Sequence, residues 1–213
     1  MKIELNKQLD KEVYLAFHNA SVGGVNFGEK IKNNHPEITP QNYNEYIDNF
    51  YTTHKGELEK IKKETESCLN GIEKTLFIEL QKYFKRDYSQ ENYVCYLSIF
   101  DCNPRYLENK TFQVYYKRSL TMRKEVVIHE LTHFAFYDFC DRLGIKNDRI
   151  LWELSEIFNV IFLNLPSVQK VIEVEELLFY PELKEKLEAV KQIWTKNLNA
   201  ESFIKESLEC LEK

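Results

Sequence analysis

Apolar residues at helical spacing organise most of this chain. From Lys55 to Phe84, residues Leu58, Ile61, Leu69, Ile72, Leu76 and Leu80 recur against a background of lysine and glutamate, and predict one long amphipathic helix. Gly71 marks a break or bend within it, and Ile72, Leu76 and Leu80, four apart, make a face suited to backing a sheet. Upstream, Thr39-Pro40 reads as a helix opening, with threonine as N-cap and proline in the first turn, and that helix runs through Tyr51. Lys2–Asn6 fits a first strand, and Gly23-Gly24 with Gly28 marks a loop.

The period changes beyond residue 92. Tyr93–Phe100 and Thr111–Lys117 are short, rich in aromatic and β-branched residues, and separated by Asp101, Asn103 and Pro104, which reads as strand, turn, strand. Tyr115 and Tyr116 fall on opposite faces of the second strand, so one is expected to line a cleft while the other packs inward. Met122–Leu143 then reads as a helix apolar on more than one side, through Val126, Val127, Ile128, Leu131, Phe134, Phe136 and Phe139. Such a helix is buried. Gly144 supplies its C-cap, and Asn147 or Asp148 caps the next helix, which Pro166 stops. Two or three Lys/Glu-rich helices follow, one from near Pro181 and one from near Asn199. The fold class is therefore α+β. A single unit of residues 1–213 is expected, with an N-terminal lobe 1–143 and a helical C-terminal lobe 144–213.

Charge and composition narrow the partners. The net charge of −5 is spread over intermixed acidic and basic residues, which argues against nucleic-acid and membrane-surface binding. No apolar run reaches the roughly 18 residues of a membrane span, and Met1–Lys7 lacks a signal-peptide core. Cys68, Cys95, Cys102, Cys140 and Cys210 are scattered and odd in number, so free thiols in a reducing cytoplasm are expected.

The chemistry lies in His129-Glu130-Leu131-Thr132-His133, of the form HExxH, inside the buried helix. Residues four apart share one helix face, so His129 and His133 can offer two imidazoles to one metal ion. Glu130 sits about 100° round the helix, where a carboxylate can serve as general base and acid. Buried imidazoles and a buried carboxylate need partners, and a divalent cation satisfies all three. No histidine follows His133, and Phe136 and Phe139 stand where HExxHxxGxxH needs its glycine and last histidine, so a downstream third histidine is excluded. The next helix carries Glu153 and Glu156, two carboxylates on an otherwise apolar element that call for something positive opposite them.

This arrangement, over residues 90–165, resembles the gluzincins, zinc metallopeptidases in which a glutamate helix follows an HExxH helix. The resemblance implies a zincin-like fold, with a small mixed β-sheet upstream of the motif helix and a helical C-terminal lobe. It also implies one zinc ion per chain held by His129, His133 and Glu153, Glu130 as the catalytic base, and Glu156 holding a ligand histidine. The reverse assignment, Glu156 as ligand and Glu153 in support, stays open. Tyr180 is the candidate for stabilising an oxyanion. In zincins generally an edge strand before the motif helix pairs with an extended substrate, which Phe112–Tyr116 would be here. The activity so implied is hydrolysis of a peptide or protein substrate. A catalytically silent metal-binding or protein-interaction module is the alternative.

Overall fold

Residues 1–22, 24–172, 175–196 and 199–212 are described in the computed structural model. The chain divides into two compact units, Met1–Asn70 with Asn92–Val127, and Gly71–Glu91 with Ile128–Lys213. The division therefore falls inside the motif helix and at Gly71, and not at Gly144 where the sequence pattern had set the lobe boundary.

The first unit is built on a four-stranded mixed sheet of order β1-β4-β6-β5, formed by β1 (Lys2–Leu5), β4 (Val94–Ser98), β6 (Thr111–Tyr115) and β5 (Arg105–Tyr106). β1 and β6 run parallel to β4, and β5 returns antiparallel to β6. Around the sheet lie α1 (Lys7–Phe17), a two-stranded hairpin of β2 (Ser21–Val22) and β3 (Val25–Asn26), α2 (Phe27–Asn34), α3 (Tyr43–Thr53) and α4 (Lys55–Leu69). The helix expected from Thr39 begins later, because Thr39 and Asn42 bond each other reciprocally through side chains and main-chain N–H groups and form a separate turn. Two expectations for β6 fail. It is not an open edge, because Pro104 O accepts from Gln113 N and Asn103 Oδ1 accepts from Tyr115 N beyond the two residues paired to β5. Tyr115 and Tyr116 are moreover both buried, so neither lines a cleft. Arg123, itself buried, donates to the carbonyls of Tyr116 and Arg118 and so ties the exit of β6 to the start of the next helix.

The long helix expected from Lys55 to Phe84 is two helices, α4 and α5 (Ile72–Phe84). Gly71 separates them at φ +89°, a left-handed conformation that a side chain would strain. The Leu76 and Leu80 face of α5 belongs to a helical core in place of the expected sheet backing: Phe84 packs on Phe139 and Phe158, while α4 is the helix against β1. The second unit otherwise comprises the later turns of α6 (Leu120–Arg142), α7 (Arg149–Leu163), α8 (Pro166–Ile172), a 3₁₀ turn (Pro181–Leu183), α9 (Lys184–Trp194) and α10 (Ala200–Leu211). Asp148 caps α7 by accepting from Ile150 N and Leu151 N, and Gly144 follows α6 at φ +71°. At the centre of this unit Phe158 stands against Phe136, Phe162, Phe84 and Trp194 at centroid distances of 5.1, 5.3, 5.4 and 6.1 Å. Arg86 ties the end of α5 to α6, its guanidinium donating to both oxygens of Asp138 at 2.8 Å. None of the five cysteines is in a disulfide, and three of them are buried. Among the described residues, no helix is long and apolar enough to cross a membrane.

Two predictions arise from these cores. Asp10, fully buried, accepts from Ser98 Oγ, Tyr51 Oη and Ile99 N, yet burial outweighs those bonds and pushes its carboxyl up from 3.8 to about 6. The folded form holds this proton more tightly than the unfolded chain. Asp10 thus favours folding below pH 3.8, and that contribution, about 3 kcal/mol, is lost as pH rises through about 6. Asp10→Asn should flatten the fall in urea-unfolding stability between pH 4 and pH 7; an unchanged slope would contradict this origin. Phe158→Ala should cost about 3–5 kcal/mol in chemical denaturation by opening a cavity in the aromatic cluster.

Candidate metal centre

α6 is buried along the motif: Val127, Ile128, Leu131, Thr132, His133, Phe134, Ala135 and Phe136 are each at most 4% exposed, as its all-round apolar pattern requires. Glu130 is buried too, and His129 retains a side-chain exposure of 20%. α7 lies antiparallel beside this stretch, since its contacts run in reverse order along α6. Asn159 Nδ2 donates to His129 O at 3.1 Å, Glu156 Oε1 lies 3.4 Å from His133 Nε2, and Ser155 Oγ lies 3.0 Å from Tyr137 Oη. The two helices thus meet along Ser155, Glu156 and Asn159.

Within that seam three ligating atoms converge. His133 Nε2 is 2.9 Å from His129 Nε2, and Glu156 Oε2 is 3.6 Å from His129 Nε2. One atom from each of His129, His133 and Glu156 lies within 4.8 Å of the others. The donors of a tetrahedral zinc, each about 2.0–2.1 Å from the metal, stand roughly 3.3 Å apart, so two imidazoles and a carboxylate at these separations fit such an ion. The electrostatics also suit a cation. Burial disfavours a charge on His129, but the Glu176 hydrogen bond and the charges of Glu176, Glu130 and Glu156 outweigh it and lift this imidazole to about 9.

The third position departs from the expectation that Glu153 faces the histidines. Glu153 turns away, its Oε2 at 2.5 Å from Lys186 Nζ and its Oε1 accepting from Arg149 Nε at 3.1 Å. Burial raises its carboxyl, but these two cations prevail and hold it below the usual carboxylate range. Helix geometry explains the exchange. At about 100° per residue, Glu156 lies some 60° from Asn159 around α7, whereas Glu153 lies some 120° from it. Spacing from His133 could not distinguish the two glutamates. The side of α7 that meets α6 could, and it is marked by the small polar residues Ser155 and Asn159 in an otherwise apolar helix.

Glu176 had no place in the sequence expectations. Its Oε1 lies 2.9 Å from His129 Nδ1, the histidine-holding position expected of Glu156. Tyr180, expected to face an oxyanion, packs edge-on against Trp152 at 4.8 Å, the arrangement of an aromatic at a helix junction. Comparisons with protein-family models, with curated proteins and with solved structures gave no match, so the functional reading rests on the site itself.

Replacing Glu153 by alanine tests this division of labour between the two glutamates. With Lys186 and Arg149 partly solvated, the loss should be about 1 kcal/mol or less in thermal or urea unfolding. A loss of several kcal/mol would show that Glu153 is tied into the buried seam.

Proposed function

We propose that this protein is a zinc-dependent metallopeptidase of the gluzincin kind, with His129, His133 and Glu156 as the metal ligands. The observation that carries the reading is the convergence of two imidazole nitrogens and one carboxylate oxygen on a buried helix seam, with Glu130 beside the first histidine. Zinc at such a site would supply a Lewis acid and lower the pKa of a coordinated water towards about 7.

The chain's own residues do the rest. His133, wholly buried, and Glu156, 7% exposed, offer their donor atoms from rigid helical backbone, which limits the rearrangement needed on binding. Asn159 holds the α6 main chain at His129 and so fixes the register between the two histidines and Glu156. The Glu130 carboxylate takes up a proton at one of its oxygens and returns it to a departing amine, the task of a general base that becomes a general acid. A purely structural metal site has no use for such a base. A zincin-like fold is part of this proposal, and what supports it is the mixed sheet that precedes the motif helix and the helical region that follows it. Tyr180 is given no catalytic part, because its ring packs against Trp152.

Elemental analysis of protein purified without chelator or metal-affinity resin tests the ligands. Wild type and Glu153→Ala should carry close to one zinc per chain, and His133→Ala and Glu156→Ala should carry little. Zinc lost from Glu153→Ala but kept in Glu156→Ala would overturn the ligand set. Glu130→Gln should retain zinc and lose about 10²–10⁴-fold in peptide-library turnover; full activity in that variant would remove Glu130 from the mechanism.

A further inference from the structure

Resting on the zinc reading above, we infer that Glu176 is the positioning residue for His129, fixing its tautomer and ring orientation from outside the two helices that carry the ligands. The ring of His129 is assigned at both nitrogens. Nδ1 faces Glu176 Oε1 at 2.9 Å, while Nε2 faces His133 Nε2 at 2.9 Å and Glu156 Oε2 at 3.6 Å. With Nδ1 donating its proton to a carboxylate, the Nε2 lone pair is the one left for a cation. A carboxylate partner of this kind also makes the imidazole a stronger donor to the metal.

The way Glu176 is held supports a specific role. It belongs to a segment without regular secondary structure, residues 175–180, in which exposed Glu175, Leu177 and Phe179 alternate with half-buried Glu176, Leu178 and Tyr180. Asn164 grips the main chain of Glu176 on both sides: Glu176 N donates to Asn164 Oδ1 at 3.0 Å, and Asn164 Nδ2 donates to Glu176 O at 2.7 Å. Asn164 follows directly on α7 and bonds back to Val160 O at 2.8 Å. The segment that delivers Glu176 is therefore registered on the helix that delivers Glu156. The carboxylate that binds and the carboxylate that positions are set by one rigid element, although 20 residues separate them in the chain. The hydrogen bonds of Asn164 go to Val160 O, Gln169 Nε2 and the Glu176 main chain, so it acts on the metal site at one remove, through the elements these bonds hold.

The test uses the full-length protein stripped of metal, with zinc affinity measured by competition against a chromophoric chelator. Wild type, Glu176→Gln, Glu176→Ala and Asn164→Ala are compared, and melting of each metal-free form reports its folding. Glu176→Ala should bind zinc about 10–100-fold more weakly than wild type. Glu176→Gln, whose amide oxygen can still accept from Nδ1, should lose less. Asn164→Ala should weaken binding in the same direction, and the Asn164→Ala/Glu176→Ala pair should fall short of additivity because both act through one contact. In cobalt-substituted protein, the paramagnetically shifted Nδ1–H signal of His129 should be slow to exchange in wild type and Glu176→Gln, and lost in Glu176→Ala. Wild-type zinc affinity together with an intact shifted signal in Glu176→Ala would overturn the role of Glu176. Failure of wild type to bind zinc at all would instead overturn the metal site on which it rests.

Discussion

Burying an ionisable group away from water costs several kcal/mol unless a partner of suitable charge or hydrogen-bonding capacity is buried with it. The seam between α6 and α7 is governed by that constraint. It holds His129, His133 and Glu156 beside rings as apolar as Phe136 and Phe158, and Glu130 is buried on the same helix as the two histidines. Without a cation, the carboxylates demand a positive charge on His129, which is why its imidazole is lifted despite burial. A divalent ion meets the same demand from a more symmetrical position between the two rings. The apolar packing around the seam then serves a second purpose: together with the Asn159 and Glu176 hydrogen bonds to His129, it keeps the donor atoms 2.9–3.6 Å apart.

How much of this could be read from the chain depended on whether the signal was local. HExxH on an all-round apolar helix is a local pattern, and both the helix and its burial were legible from Val126 to Phe139 alone. The Asp148 cap and the Gly144 stop were legible for the same reason, since each acts within one turn. The choice between Glu153 and Glu156 was not local. It depends on which side of α7 faces α6, and only Ser155 and Asn159 hinted at that. Glu176 left no trace in the sequence, because one of three glutamates that follow a short helix, Glu173, Glu175 and Glu176, gains its meaning solely from the Asn164 clamp.

The misreadings in the first unit have the same cause. Phe112–Tyr116 has the composition of a strand, but composition does not say which strands flank it. The 103–106 segment, folded back over its outer side, was too short to register as an element. The break at Gly71 was visible as a glycine; that it separates two packing units follows from which residues α5 meets, with Phe84 set among Phe139 and Phe158.

The central claim is that two imidazoles and the Glu156 carboxylate form one metal site. X-ray absorption at the zinc edge, on protein loaded with one equivalent of zinc, addresses it directly. The account requires nitrogen and oxygen neighbours only, at about 2.0–2.1 Å, with outer-shell scattering from two imidazole rings that falls to one ring in His133→Ala. Sulfur in the first shell, scattering from fewer than two rings in wild type, or a metal that washes out at equimolar zinc would contradict it.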